Sequence, residues 1–510
     1  MREKKWKSKP QEFRLFCVLL FCIFPLFCVN HQNYVQVCTL TQVSSLTPLR
    51  GSAPDFSNGD SFSGREILGL NQFPELTGQD QVIAFLDTGV NLSHEVFTRF
   101  QENSSFYDWY DARAFFNGIP SEFPEDFHGH GTHTASIALG NSTSYTGVAP
   151  NSQLVACNVF TGTTESLGTS YEVLAHCLDW LQNGSASLPV DVISISAGST
   201  HSSDGTDLAS QAVDSCVEKG ISVVVSAGNS GKSGSQTIYT PGTARLAITV
   251  GALGRDNTNV HWESSRGLTI DGRQKPDVIA PGFSVLGADA SDDSRYIELT
   301  GTSQATPLVA GALACIKQLV PEISALELKQ HLLMTAVKMP VDDASLSAYL
   351  PDIYQGWGLV QVDVLLSSLL TDPLPHAEEI SVSLSSYLGE GTNWVRRIEL
   401  RKDVPFISRN PVPGMIDLVL FSQNHTDYGE PIVLASSNNQ FNQISVYPPY
   451  DGEYYLAIKP THPIDFQINL NFGQKTLRYD AFLLSSSIVY LVGLGYFASK
   501  VFSHHPAKIK

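Results

Sequence analysis

The sequence predicts an α/β fold: a parallel sheet with helices on both faces, followed by a smaller β-sandwich domain and a C-terminal transmembrane helix. Three observations predict it. Between residues 80 and 260, short apolar runs alternate with segments of helical periodicity. Strands buried on both faces read as unbroken apolar runs, and helical crossovers between them make the sheet parallel. After about residue 370 helical periodicity stops, and short alternating runs separated by turn residues take over, which is the pattern of a sandwich. Residues 481–499 then carry no charge.

Composition sets the bounds. The 510 residues are 42% hydrophobic, 10% aromatic and 16% charged, enough for two or more domains and unlike a disordered chain. A formal charge of −18 argues against nucleic acid as a partner. Residues 1–30 read as a signal peptide or signal anchor: "MREKKWKSKPQEFR" is basic, and "LFCVLLFCIFPLFCV" (15–29) is apolar. An uncleaved anchor is the rival to a cleaved signal. Residues 31–60 form a short N-terminal extension. N-x-S/T sequons at Asn91, Asn103, Asn141, Asn183 and Asn424 fit a secretory route. Cys17, Cys22 and Cys28 lie in the targeting segment. Cys38, Cys157, Cys177, Cys216 and Cys315 follow no metal or disulfide-framework spacing, so they read as buried thiols, with one disulfide left open.

The α/β domain is expected over 61–370. "QVIAFLDTG" (81–89) is its first strand and "SQLVACNVF" (152–160) its next. "SYEVLAHCLDWLQN" (170–183) has apolar residues at helical spacing. "VDVISISAG" (190–198) is a strand. "DLASQAVDSCVEKG" (207–220) is an amphipathic helix stopped by Gly220, and "ISVVVSAGNSG" (221–231) and "LAITVGAL" (246–253) are strands. Functional residues of such sheets gather beyond the carboxyl ends of the strands, where Asp87, Ser196 and Asn229 fall. "DPLP" (372–375) reads as a linker, and 371–480 as the β-sandwich, with runs such as "WVRRIEL", "IDLVLF" and "EYYLAIKP". Residues 481–499 are just long enough to span a bilayer, and the tail 500–510 carries Lys500, Lys508 and Lys510, favouring a cytoplasmic end. A buried hairpin completing the β-domain is the rival reading of that segment.

The chemistry concentrates in three short stretches. Asp87 ends a buried strand. "HGHGTHTASIALG" (128–140) places glycines around His130 at a helix entrance. His128, His130 and His133 lack the Glu between a helical His pair that a zinc protease needs, so no metal site is expected. "GTSQATPLVAGALA" (301–314) sets Ser303 at the mouth of an apolar helix, where a serine can be merely a cap.

With these residues in view, the chain resembles a subtilisin-like serine peptidase. The family's Asp, His and Ser blocks stand as "VIAFLDTGV", "HGTHTAS" and "GTSQATPLVAG". Its oxyanion block stands as "SAGNSG", its substrate strand as "SISAGS" (194–199), and "KPDVIAPG" (275–282) is also typical. The Asp-His-Ser order is that of subtilisin. The resemblance implies Ser303 as nucleophile, His130 as general base and acid, Asp87 as its orienting carboxylate and Asn229 as oxyanion donor. It implies backbone pairing of substrate with Ser196, Ala197 and Gly198, and a specificity pocket near Ala227 and Gly228. Ile238 and Tyr239 suggest that this pocket is apolar. Two departures stand out: Gln304 replaces the usual Met, and the extension before the core is shorter than the usual inhibitory propeptide. No calcium loop or cofactor motif is matched. The expected function is therefore an endopeptidase acting on protein or peptide substrates through an acyl-enzyme, secreted or held at the cell surface by a C-terminal membrane segment. The alternative is a catalytically silent surface adhesion or binding protein built on the same core.

Overall fold

A computed structural model describes residues 64–472, except 115–125, 164–165, 200, 256–258, 340–349, 375–378, 389–392, 410–415, 438–442 and 461–463. The expected signal peptide or anchor 1–30, the expected extension 31–60, the apolar run 481–499 and the tail 500–510 lie outside the described residues. Among the described residues no helix is long and apolar enough to cross a membrane.

The larger sheet has seven strands. They are β1 (Val82–Asp87), β2 (Tyr107–Asp111), β3 (Gln153–Asn158), β4 (Val192–Ile195), β5 (Ser222–Ser226), β6 (Ile248–Leu253) and β7 (Val278–Pro281). Their spatial order is β7-β6-β5-β4-β1-β3-β2, and every pairing is parallel. The chain runs from β1 to the β2 edge, returns through β3, and crosses to β4. The carboxyl end of β1 thus borders the crevice where strand order reverses, and Asp87 sits there. Strand β2 escapes the sequence pattern because "YDWYD" is polar and half-buried at a sheet edge.

The apolar runs are explained by burial on two faces. Ile83 and Phe85 of β1 pack toward α1 (His130–Leu139) and α4 (Thr302–Leu319), whereas Val82, Ala84 and Leu86 pack toward α2 (Tyr171–Gln182) and α3 (Leu208–Glu218). Both of the latter helices start where a side chain satisfies an orphan N–H. Ser170 accepts from Val173 N at 3.3 Å, and Asp207 accepts from Ser210 N at 2.9 Å. Cys157, Cys177, Cys216 and Cys315 are buried free thiols.

Two further helices, α5 (Ala325–Thr335) and α6 (Val362–Leu370), lead to the sandwich. Its strands are β8 (Glu379–Leu388), β9 (Trp394–Leu400), β10 (Phe406–Arg409), β11 (Ile416–His425), β12 (Pro431–Ser436), β13 (Gln443–Val446), β14 (Gly452–Pro460) and β15 (Ile464–Phe472). They form two antiparallel four-stranded sheets, β8-β15-β10-β13 and β9-β14-β11-β12. The second sheet is covered on both faces. Leu418, Leu420, Tyr454, Leu456 and Ile458 fill the sandwich, while Val419, Phe421, Tyr455 and Ala457 join the core beside the parallel sheet. Period-two alternation divides one strand between two cores. Polar contacts reinforce the seam. Gln330 Nε2 donates to the carbonyls of Ser422 (3.3 Å), Gln423 (3.3 Å) and Asn424 (3.1 Å). Tyr455 Oη meets His331 Nε2 at 3.3 Å, and burial pushes that imidazole down to about 4, so it is neutral in neutral solution. The expected linker is also pinned rather than loose: Leu374 N donates to Arg397 O and Glu399 N to Leu374 O, each at 2.9 Å.

Candidate active site

Asp87 and His130 meet first. His130 is the first residue of α1, and its Nδ1 lies 2.7 Å from Asp87 Oδ1. A carboxylate in this setting accepts, so Nδ1 carries the proton and Nε2 is left as a base. Asp87 Oδ1 also accepts from Thr88 N (2.8 Å), and Oδ2 accepts from Thr134 Oγ1 (3.0 Å). Gly131 explains the "HGT" spacing. A Cβ there would lie 2.1 Å from Gly89 O, so only glycine lets the helix mouth approach the end of β1 so closely.

Asp126, unnoticed in the sequence, ties the same parts together. Its Oδ1 accepts from Thr88 Oγ1 (2.7 Å), Gly129 N (2.7 Å) and His128 N (3.1 Å). Its Oδ2 accepts from Thr132 N (2.8 Å) and Thr132 Oγ1 (2.6 Å). A carboxylate at a helix N-terminus is favoured by the unpaired N–H groups and the dipole. Here it also joins the residue after Asp87 to the residues around His130. The electrostatics follow. Burial favours the neutral imidazole, but the charge and hydrogen bond of Asp87, with the charge of Asp126, outweigh it and raise the His130 pKa above its ordinary value. His133 goes elsewhere: it is buried against Ile297 O (3.1 Å) and pushed by that burial down to about 4, whereas the His128 ring stays 6.3 Å from that of His130. Among the described residues no cluster of three His, Cys, Asp or Glu could hold a metal ion.

Ser303 is not a cap. Helix α4 is capped at Gly301 without a side-chain bond, so Ser303 is its second residue. It is half-buried between buried Thr302 and Gln304. Asn229, just past β5, accepts through Oδ1 from Thr302 N (3.0 Å) and Thr302 Oγ1 (3.1 Å). A backbone N–H only donates, so the amide orientation is decided: oxygen toward Thr302, Nδ2 left as a donor. Gly228 N donates in turn to Thr302 Oγ1 at 3.1 Å. Thr302 thus locks the loop after β5 to the mouth of α4, a role with no signal beyond the motif itself. A Cβ on Gly301 would lie 2.9 Å from Asn229 Nδ2, so glycine there keeps the amide donor clear.

One cleft collects these groups. It is lined by residues 196–199, residues 226–230, Tyr239, Thr302 and Ser303. Ser196, Ala197, Gly198, Ala227, Gly228, Asn229 and Ser303, scattered in sequence, are therefore neighbours. His130 stands at the adjoining helix mouth, its side chain 21% exposed, and not in the cleft wall. Among the described residues no hydrogen bond joins Ser303 Oγ to His130 Nε2; such contacts are often long before substrate binds. One expectation is corrected. Ile238 is fully buried and does not line the cleft, whereas its neighbour Tyr239 does.

Residues 78–358 match the model of the subtilase family. The serine protease AprX of Bacillus subtilis (strain 168) is 31% identical over 314 residues, covering 56% of this chain and 66% of AprX, just under two thirds of its length. Subtilisin DY of Bacillus licheniformis is 33% identical over 290 residues, covering 56% of this chain and 90% of its own. The solved CspB protease of Clostridium perfringens shares the fold at 19% identity, with a TM-score of 0.51, over 58% of this chain and 96% of that one.

Proposed function

Since the chain belongs to the subtilase family, we propose that it is a serine endopeptidase whose nucleophile is Ser303 and whose base is His130. In this reading Ser303 Oγ attacks the scissile carbonyl carbon while His130 Nε2 takes the hydroxyl proton. Asp87 holds the imidazole and stabilises its charged form. Asn229 Nδ2 and the backbone N–H of Ser303, at the positive end of α4, face the developing oxyanion. His130 then protonates the leaving nitrogen, the C–N bond breaks, and water repeats the sequence on the acyl-enzyme. The observation that carries the reading is the 2.7 Å contact of His130 Nδ1 with Asp87 Oδ1, which leaves Nε2 as a base. A fluorophosphonate probe, which reacts only with an activated serine, tests it: covalent labelling at Ser303 is expected, and an unlabelled folded chain would leave the silent adhesion protein as the better account.

The acid limb of kcat/KM should report His130, with an apparent pKa above the ordinary 6.5. Below it the base is protonated and activity falls. Asp126→Asn removes one of the charges that raise this pKa, so the limb should move to lower pH; an unmoved limb would remove Asp126 from the electrostatics of the site.

Substrate backbone is placed along residues 196–198 in the manner of an added strand. Among the described residues the cleft walls are Ser, Ala, Gly, Asn and Thr, and Tyr239 is the one large side chain. A small or short apolar residue before the scissile bond is therefore preferred. Tyr239→Gly should raise kcat/KM for a substrate with Phe at that position by about tenfold or more, the scale on which pocket volume discriminates. An unchanged Phe-to-Ala preference would place Tyr239 outside the specificity pocket.

The basic-then-apolar N-terminus and the sequons support a secreted or cell-surface location. The uncharged run 481–499, with lysines beyond it, supports a membrane anchor with the catalytic domain outside. Full-length protein should then resist carbonate extraction, and release by carbonate would make it a freely secreted enzyme.

A further inference from the structure

Pro307 stands four residues after Ser303, inside α4. In a regular helix the N–H of residue 307 would bond the carbonyl of residue 303. Proline has no N–H, and its ring crowds the carbonyl four residues earlier. The peptide oxygen of the nucleophile therefore lacks its helical donor, in a part of the helix that is otherwise buried. A side chain from another strand replaces it. Ser196 Oγ donates to Ser303 O at 3.0 Å. Ser196 lies just beyond β4 and is only 6% exposed, so its hydroxyl is held in place by packing.

We propose that Ser196 is a positioning residue: its hydroxyl supplies the hydrogen bond that Pro307 denies to Ser303, and so ties the nucleophile to the strand that holds substrate. The inference rests on the peptidase reading above and adds to it a function for a side chain whose backbone alone was expected to matter. A proline ring crowds the carbonyl four residues before it, and the Ser196 hydroxyl is the donor that meets the Ser303 oxygen here. The Ser303 N–H and Oγ belong to the same residue, so their aim at a bound carbonyl depends on that anchor. Catalysis at such a site needs placement to within about half an ångström.

Three variants test this. Ser196→Ala should lower kcat about three- to tenfold, the worth of one net hydrogen bond, with little change in KM. Ser196→Thr keeps the hydroxyl and should stay within about twofold of wild type by the same measure. In Ser196→Ala/Pro307→Ala the helix regains its own N–H donor to Ser303 O, and most of the lost kcat should return. A purely structural serine would show no such rescue. Wild-type kcat in Ser196→Ala overturns the inference, as does a double variant no faster than the single one. The two readings fail differently: a wild-type chain that neither cleaves peptides nor labels sinks both, whereas an active wild type with an indifferent Ser196 sinks this inference alone.

Discussion

Ser303→Ala should abolish peptide hydrolysis and fluorophosphonate labelling while the protein stays folded. The expected loss in kcat is about 10⁶-fold, a magnitude taken from subtilisin itself. The fold should survive for local reasons. Ser303 does not cap α4, since Gly301 does. The bond from Ser196 reaches the backbone oxygen of residue 303, which alanine retains. Alanine is also the best helix former. An unchanged melting temperature with no labelling is the expected pair of results. Labelling at a near wild-type rate would put the nucleophile elsewhere.

Replacing Asn229 should give the second largest effect. Asn229→Leu removes the Nδ2 donor, and kcat should fall about 10²–10³-fold with little change in KM, because the donor acts on the transition state and not on bound substrate. The structure adds a second consequence. Asn229 Oδ1 is the acceptor for Thr302 N and Oγ1. Leucine leaves that N–H unpaired beside the helix mouth, so a stability loss of about 1–3 kcal/mol should accompany the kinetic one. Asn229→Asp separates the two effects. It keeps the acceptor and loses the donor, so the melting temperature should hold while kcat still collapses. A change confined to KM in either variant would overturn the oxyanion assignment.

Much of the architecture was legible in the chain. "VIAFLD", "VISI" and "SVVVS" are apolar without alternation because helices cover both faces of the sheet, and the caps Ser170 and Asp207 sit at the edges of their helical patterns. Strand β2 was not legible, because an edge strand need not be apolar. The sandwich strands were visible as alternating runs, but their alternation does not say that the second face belongs to another domain's core. Val419 and Phe421 look solvent-facing in a lone sandwich and are buried here.

By itself the sequence determined the chemical groups and their order: Asp87 at a strand end, His130 and Ser303 at helix mouths, Asn229 after a small-residue turn. These positions are legible because each depends on local rules, namely an apolar run that stops, a glycine that permits close approach, a helix that begins. Only the tertiary structure decided which distant partners hold those groups. Asp126 reaches Thr88 across 38 positions, and Ser196 reaches Ser303 across 107. Tyr239 rather than Ile238 faces the cleft because packing, not composition, chooses which of two neighbouring side chains the core takes. Residue types along a chain record periodicity and turn chemistry over a few positions; the meeting of two strands or helix mouths is set by how the whole sheet closes, and no local pattern carries that information.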